Sequence, residues 1–236
     1  MTGAVFFDFD GTLAHTAPDM AAAFREWQTA AGQTPAEYEV IRPAVSGGAR
    51  ALLKLAGVEE DSPDYEPARL DFLARYEAGG YQRTFLFGGM KECLTSLKED
   101  GWKWGIITNK PRQYFSPIAD NLSLNTDPEM LLPDSPPAAA AMVAGDDCPR
   151  GKPSPESLLL AAEIAGVPPR RCIYIGDDAR DAQAAQAAGM RFIVAGWGYW
   201  PTTEWFRSPA ADAIISSPHC IPSLARMYAA IFSNEN

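Results

Sequence analysis

Short apolar runs alternate with helical patterns over the second half of the chain, and this alternation limits the fold more than any other feature. The runs of strand length are Trp102 to Thr108, Ala141 to Ala144, Cys172 to Gly176 and Arg191 to Ala195. Helical patterns lie between them, at Met90 to Gly101, Ser154 to Ala165 and Ala179 to Ala188. Alternation of this kind predicts an α/β fold with a parallel sheet that helices cover on both faces.

A further strand is predicted near the start of the chain, at Val5 to Asp8, with Gly11 as its breaker. A single strand buries its apolar faces better in a sheet than against helices alone, so this strand belongs with the later ones. The patterns between the first strand and the next are all helical. We therefore expect a core domain of residues 1–15 and 84–236, and a small helical domain of residues 16–83 inserted after the first strand.

Three helices are predicted inside the insert. The first starts at Thr16 and Asp19, which have capping-box spacing, and continues to Gly32. The second covers Ala49 to Ala56, and the third is expected to present Leu70, Leu73 and Tyr76 on one face.

Composition and charge narrow the classes of partner. The chain has 236 residues, is 47% hydrophobic and carries a formal net charge of −10. A strongly acidic chain has no electrostatic footprint for nucleic acid or for an anionic membrane, so we expect a small-molecule ligand. Four separated cysteines without a CxxC pair indicate reduced thiols rather than a zinc site or a disulfide framework. No leader or membrane-spanning pattern is present, so a cytoplasmic protein is expected, as a monomer or small homo-oligomer.

Acidic residues stand at the ends of two predicted buried strands, where an uncompensated carboxylate is costly. Asp8 and Asp10 follow the first strand, and Asp177 with Asp178 follows the CIYIG run. Thr108 and Asn109 follow the WKWGII strand, and Lys152 precedes a helix. In an open α/β sheet the carboxyl ends of the strands form the ligand site, so these side chains are expected to meet there.

The four motifs, DFDGT, Thr108, Lys152 and GDDARD, resemble in order and type those of the haloacid dehalogenase-like phosphatase superfamily. The resemblance spans nearly the whole chain, because the helical insert is similar to the small cap domain of that superfamily. It implies a Rossmann-like core and a phosphatase reaction. Asp8 would be the nucleophile that forms an aspartyl-phosphate, and Asp10 the general acid and base.

A cation is implied by the clustered charges. A phosphate dianion about 4 Å from one carboxylate is repelled by roughly 2 kcal/mol even in water, and by more in a protein. Mg²⁺ with oxygen ligands resolves this repulsion. The resemblance implies that Asp8 and Asp177 supply carboxylates and Asp10 its carbonyl, with Asp178 and Asp181 acting indirectly. Asp181 is equally well explained as an acid that complements the helix dipole.

The phosphoryl oxygens are expected to be held by Thr108, Asn109, Lys152 and the backbone turn at Gly11. In the insert, Gly48 and Arg50 lie at a predicted helix N-terminus, and they are candidates for substrate recognition. A loop with an exposed arginine is the simpler interpretation of that pair. His15 is expected only to line the hinge, and GWGYW, residues 196–200, to pack in the core or at the rim of the site.

Several functions remain compatible with these residues. The TNKP, KPSPE and WGY stretches are similar to phosphoglycolate phosphatases. The APDM, VSGGARALL, LFGGM and WGIITNKP stretches are similar to phosphatases that act on N-acetylmuramic acid 6-phosphate. A phosphosugar mutase would need the same acids. A receiver-type signalling domain is disfavoured by the chain length and by the position of the nucleophile, and an inactive binding module by the completeness of the motif set.

Overall fold

The strands form two sheets in the computed structural model, which describes residues 3–127, 134–199 and 211–234. The strands are β1 Ala4–Phe7, β2 Ala14–His15, β3 Phe85–Leu86, β4 Lys103–Ile107, β5 Ala141–Val143, β6 Cys172–Gly176, β7 Arg191–Ala195 and β8 Ala213–Ile215. The larger sheet has the order β5-β4-β1-β6-β7-β8, and all its pairs are parallel. The predicted parallel sheet is confirmed, with β1 at its centre.

Helices flank this sheet and fill the insert. They are α1 Ala17–Ala30, α2 Tyr38–Ile41, α3 Gly48–Leu55, α4 Tyr65–Ala78, α5 Met90–Glu99, α6 Arg112–Asn121, α7 Glu156–Ala165, α8 Ala179–Ala188 and α9 Ile221–Asn234. Short 3₁₀ helices lie at Arg42–Gly47, Pro169–Arg171 and Pro218–Cys220.

Strand β1 is buried along its whole length, because alternate side chains enter two different apolar clusters. Val5 and Phe7 pack on one face of the sheet, and Ala4 and Phe6 pack on the other. The two clusters show that helices cover both faces, as the alternation predicts.

The strand order places a crevice beside β1. The chain passes from β1 through β4 to β5 on one side, and from β6 to β8 on the other. The direction of strand progression therefore reverses between β1 and β6, which is where open α/β sheets bind ligands.

The insert leaves and rejoins the α/β part at one hairpin. β2 and β3 pair antiparallel, with Ala14 opposite Leu86 and His15 opposite Phe85. Helices α1 to α4 lie between these strands, and Phe24 of α1 packs edge-on against Phe72 of α4 at 6.3 Å between ring centroids. The all-helical insert is confirmed as secondary structure; its assignment as a separate domain of residues 16–83 stays a prediction.

Two details of the insert differ from the prediction. No side chain caps α1: Thr16 instead donates to Asp10, and Asp19 accepts from the backbone N–H of Arg83 and from the Thr84 hydroxyl. The capping box is wrong because both side chains have stronger tertiary partners than the helix end.

The buried face of α4 also differs from the prediction. Leu70 is 56% exposed, whereas Phe72 and Tyr76 are buried. Spacing alone did not show which of two overlapping helical faces meets the rest of the insert.

The sequence patterns missed α6, α9 and the two short hairpin strands, and β8 as well. Pro117 lies inside α6, and Pro normally indicates a helix end. The cysteines are free thiols, as expected. In the described part of the chain no helix has the length and apolar character needed to cross a membrane. Trp200 and the start of the loop at Leu131 to Ala141 lie outside the described residues.

Candidate active site

The carboxyl ends of β1, β4 and β6 bring the predicted site residues to one cleft. A cavity of about 320 Å³ lies at this cleft. From the core its lining includes Asp8, Asp10, Thr108, Lys152 and Asp181. From the insert it includes residues of α1, the Ser46 to Arg50 segment and α4. The cavity is therefore shared between the sheet and the helical insert.

Lys152 lies at the centre of the side of the cavity that the sheet and its loops form, here called the core half. Its ammonium Nζ is 2.6 Å from Asp8 Oδ1 and 2.8 Å from Asp181 Oδ1, and it donates to the Tyr174 hydroxyl at 2.7 Å. Burial alone would lower the pKa of Lys152, but the charges of Asp181 and Asp8 outweigh it and raise that pKa. Lys152 is thus a buried cation held between two carboxylates, despite the long segment that precedes it in the sequence.

Asp177 is held from two sides. Its Oδ1 accepts from the Thr12 hydroxyl at 2.9 Å, and its Oδ2 accepts from the backbone N–H of Tyr199 at 2.7 Å. Gly11 makes this packing possible, because its φ is +90° and a Cβ there would lie 2.4 Å from Asp177 Oδ2. The glycine of the DFDGT motif is therefore required both by the turn and by the closeness of the second acidic loop.

Asp178 and Asp181 have different surroundings. Asp178 accepts from the backbone N–H of Arg180 and forms an ion pair with the guanidinium of that residue at 2.8 Å. Asp181 is fully buried, and its two oxygens accept from the Tyr174 hydroxyl and from the backbone N–H of Asp178. Asp181 therefore belongs to the buried charge cluster as well as to the first turn of α8.

The carboxylates of Asp8, Asp177 and Asp181 form a cluster that fits a metal ion. One carboxylate oxygen from each of the three residues lies within 4.8 Å of the other two. Among the described residues, these three side chains form the group that could hold a metal ion. Burial raises the pKa of Asp8 well above its usual range, and Lys152 offsets only part of this effect. Burial, with the charge of Asp181, raises the pKa of Asp177 to about 7. Buried acids whose charge is only partly offset by protein partners are the donor set that a divalent cation would neutralise.

Asp10 faces the cavity from the turn after β1. Its Oδ1 accepts from the Thr16 hydroxyl at 2.5 Å and lies 3.0 Å from the Lys110 ammonium. Lys110 in turn donates to the Tyr76 hydroxyl of α4 at 3.2 Å. The second aspartate is thereby linked through one buried lysine to the insert.

The other predicted phosphate ligands lie at the end of β4 and in the turn. Thr108 lines the cavity, and its hydroxyl accepts from the backbone N–H of Lys110. The side-chain amide of Asn109 bonds the backbone of Lys152, accepting at 2.8 Å and donating at 2.9 Å. The N–H of Gly11 donates to the Ala14 carbonyl. The Asn109 side chain and the Gly11 N–H thus already form hydrogen bonds within the protein, and their binding of phosphate stays a prediction.

The insert contributes a more exposed wall. Gly48 begins α3, and Arg50 lines the cavity with 61% of its side chain exposed, 3.7 Å from Glu60. Arg69 of α4 also lines the cavity. His15 bonds the hydroxyls of Tyr199 and Tyr38 at the β2–β3 hairpin.

The sequence patterns indicated no catalytic or binding role for four residues with close contacts to this cluster: Thr12, Lys110, Tyr174 and Tyr199. Thr12 and Lys110 lie inside the DFDGT and TNK stretches, so their motif positions were a usable signal. Tyr174 lies in the middle of β6, inside the apolar run, where the sequence predicted only a buried strand residue. Tyr199 is fully buried, which confirms core packing for that part of GWGYW.

Comparisons with known proteins agree with this geometry. Residues 2–189 match the family model of the haloacid dehalogenase-like hydrolases. An N-acetylmuramic acid 6-phosphate phosphatase from Pseudomonas aeruginosa is 36% identical over 216 residues, covering 91% of each chain. A phosphoglycolate phosphatase from Xanthomonas campestris is 37% identical over 215 residues, covering 91% of this chain and 92% of the relative.

A solved structure from Bacteroides fragilis, described as a haloacid dehalogenase-like hydrolase, has a TM-score of 0.76 and 28% identity. The match covers 92% of this chain and 98% of that one. The sheet order, the two acidic loops with their buried lysine, and these matches lead to one conclusion. The chain belongs to the haloacid dehalogenase-like hydrolase family.

Proposed function

We propose that this protein is a Mg²⁺-dependent phosphomonoesterase that acts on a small phosphorylated metabolite through Asp8. The observation that carries this proposal is the buried Asp8–Lys152 pair at the edge of a cavity that Asp10 also lines. The two named relatives support the reaction class, since both are called phosphatases.

The metal ligands in this proposal are the carboxylates of Asp8 and Asp177 and the backbone carbonyl of Asp10. Asp181 is within reach of the same point, but its oxygens already serve Lys152, Tyr174 and the N–H of Asp178. When bound, Mg²⁺ would neutralise the charge between the acids and the phosphoryl group.

In the first step a carboxylate oxygen of Asp8 forms a bond to phosphorus and the bond to the leaving oxygen breaks. Lys152 holds Asp8 Oδ1, so the side chain has a fixed direction for attack. Asp10 gives its proton to the leaving alcohol, and Thr108 and Lys152 bind the phosphoryl oxygens.

In the second step water attacks the aspartyl-phosphate and restores Asp8 as the phosphorus–oxygen bond to its side chain breaks. Asp10, now a carboxylate, takes the proton from the attacking water. The acid is thereby regenerated for the next turnover.

The helical insert, residues 16–83, acts as a cap in this proposal. Its contacts reach the core at both sides of the cavity, through Tyr76 to Lys110 and through the Ser46 carbonyl, which accepts from Arg180 at 2.7 Å. Opening of these contacts would admit the substrate, and closing would exclude bulk water.

The proposal is tested by measuring phosphate release from a panel of esters in the presence of Mg²⁺. Asp8→Asn should lower turnover by at least about a thousandfold, because an amide is a poor nucleophile. Asp61→Asn, at an exposed position of the insert, is the matched control and should keep full activity. Persistent release by Asp8→Asn would refute the assignment of the nucleophile.

A further inference from the structure

The Lys152 ammonium has a third close partner besides its two carboxylates, and this partner is the hydroxyl of Tyr174. An ammonium has three N–H donors. They are taken by Asp8 at 2.6 Å, Tyr174 at 2.7 Å and Asp181 at 2.8 Å. The next acceptor, the Ile107 carbonyl, is 3.3 Å away. Three close bonds therefore set the position of the ammonium, and one of them joins it to a neutral side chain.

The ring of Tyr174 is anchored in the sheet. The residue lies at the middle of β6, its ring is fully buried, and the ring centroid is 6.4 Å from that of Phe192 on β7. Both rings belong to the apolar cluster that also contains Phe6 of the central strand. Side chains that are close-packed on a sheet are held in one rotamer, so the hydroxyl is a fixed point for the ammonium.

The Tyr174 hydroxyl has partners for its proton as well as for its lone pairs. It accepts from Lys152, and its oxygen lies 3.2 Å from both the Ile107 carbonyl and Asp181 Oδ1, which are acceptors for its proton. Tyr174 is not among the residues that line the cavity. Its influence on the reaction must therefore pass through Lys152 or Asp181.

The proposed reaction changes only one of the three partners of the ammonium. Asp8 becomes a phosphate ester in the first step, whereas Tyr174 and Asp181 keep their covalent state throughout. Once Asp8 carries the phosphoryl group, the N–H that it accepts is the one left to bind a phosphoryl oxygen. If the hydroxyl were missing, a second N–H would have the Ile107 carbonyl as its nearest acceptor, and the ammonium would move toward that carbonyl.

We infer that Tyr174 is a positioning residue: its hydroxyl holds the Lys152 ammonium in the place from which the ammonium orients Asp8 and binds the phosphoryl group. The inference rests on the proposed phosphatase function, and it adds a residue outside the four sequence motifs to the machinery. The hydroxyl acts on the reacting groups rather than on the rest of the substrate. Its loss should therefore lower kcat and leave KM nearly unchanged.

Tyr174→Phe tests the inference, because it removes the hydroxyl and keeps the ring. With the Mg²⁺-loaded protein and 4-nitrophenyl phosphate as the probe, kcat should fall about tenfold, as expected for the loss of one buried hydrogen bond to a charged group. KM should change less than about twofold. A kcat within about twofold of the wild-type value would overturn the inference.

Tyr228→Phe is the matched control. Tyr228 is also buried, at 5% exposed, but it lies on α9 against Phe232 and is not among the cavity-lining residues. The control removes the same atom from a buried tyrosine and should keep full kcat.

A double-mutant cycle separates an effect through Lys152 from a general loss of packing. In the Lys152→Met background, Tyr174→Phe should change turnover by less than about twofold, because the group that the hydroxyl positions is already gone. A tenfold loss in both backgrounds would mean that Tyr174 acts independently of Lys152, and the inference would be wrong.

Nuclear magnetic resonance of the Lys152 ammonium gives a readout that needs neither activity nor the Lys152→Met protein. In protein with isotope-labelled lysine, the Nζ signal is assigned with Lys152→Arg. Its protons should exchange slowly with water, because the side chain is 4% exposed and its donors are bonded. Tyr174→Phe should speed this exchange by at least about tenfold, and Tyr228→Phe should not change it.

Failure of the proposed function has a different signature. The wild-type protein would then release no phosphate from any ester, 4-nitrophenyl phosphate included. In that case the exchange measurement alone decides whether Tyr174 holds Lys152. Faster exchange in Tyr174→Phe would support the inference, and unchanged exchange would overturn it.

Discussion

The two halves of the cleft hold their charged groups in opposite ways. In the core half the Lys152 side chain is 4% exposed, and its ammonium lies within 3 Å of two carboxylates. In the insert half Arg50 and Glu60 are each more than 60% exposed and lie 3.7 Å apart. Buried charges must be matched closely, whereas an exposed pair contributes about 0–1 kcal/mol. The core residues therefore constrain one another, whereas the Arg50–Glu60 pair places little constraint on its surroundings.

Removing the central cation should give the largest effect. Lys152→Met leaves Asp8 and Asp181 buried without their common partner, which should lower the free energy of unfolding by about 3–5 kcal/mol. Phosphate release should fall by about a thousandfold, because the proposed nucleophile and the phosphoryl group lose one fixed positive charge. Urea unfolding at pH 8 and steady-state kinetics measure the two effects.

Lys103→Met is the control for Lys152→Met. The Lys103 ammonium donates to the Ala165 carbonyl, and the residue is exposed at the start of β4. Its replacement should change the free energy of unfolding by less than about 1 kcal/mol. If the two variants were equally stable, the core half would not depend on matched buried charge.

Lys110 joins the two halves, so its replacement should give the next largest effect. Lys110→Met removes the cation that lies 3.0 Å from the Asp10 carboxylate. The hydrogen bond from the Thr16 hydroxyl to that carboxylate remains. We expect kcat on an alkyl phosphate to fall about ten- to a hundredfold with KM nearly unchanged, because Asp10, the proposed proton donor, is less well placed. Tyr76→Phe keeps the Lys110–Asp10 pair and should cost only a few fold.

The leaving group separates this positioning role of Lys110 from a general loss of structure. Nitrophenolate departs without a proton, so 4-nitrophenyl phosphate should be much less affected by Lys110→Met than the alkyl ester. Equal losses on the two esters would contradict the positioning role.

Metal affinity should depend on pH with a defined sign. The pKa of Asp177 is raised to about 7 by burial and by Asp181, so this acid holds a proton below that pH in the metal-free protein. Mg²⁺ must displace this proton, and its affinity should therefore fall about tenfold for each pH unit below 7. The raised pKa of Asp8 should steepen the dependence.

The same shift affects stability without metal. A carboxyl whose folded pKa is raised favours the folded state at low pH, and this contribution is lost as the pH rises from about 4 to about 7. Thermal unfolding should show that Mg²⁺ stabilises the protein more at pH 8 than at pH 5.5. An affinity that does not change between these pH values would contradict the burial of Asp177.

Much of the core was predictable because each strand and its polar end lie next to each other in the sequence. The strands at β1, β4, β6 and β7 and the helix α8 agree closely with the patterns. The apolar run predicted the strand, and the acid after it predicted a side chain of the acidic cluster. Parallel strands then bring these ends together without any information about loops.

The insert half was less predictable because its contacts join distant segments. The partner of Lys110 is on α4, and the partner of Thr16 is Asp10 rather than the helix it begins. Leu70 fits the helical period as well as Phe72 does, and only tertiary packing selects Phe72. Local sequence patterns predict the secondary structure. They do not specify which side chain of the insert contacts the core.

Replacement of Arg42 should give the smallest effect, and it tests a contact between the insert and the core. From the insert, its guanidinium donates to the carbonyls of Trp197 and Gly198, next to the Tyr199 N–H that holds Asp177. Arg42→Met should raise the Mg²⁺ concentration for half-maximal activity about two- to fivefold and leave kcat at saturating Mg²⁺ unchanged. The exposed Arg25→Met on α1 is the control. A tenfold loss of kcat at saturating Mg²⁺ would mean that the insert fixes the reacting groups themselves, and the division of labour between the two halves would not hold.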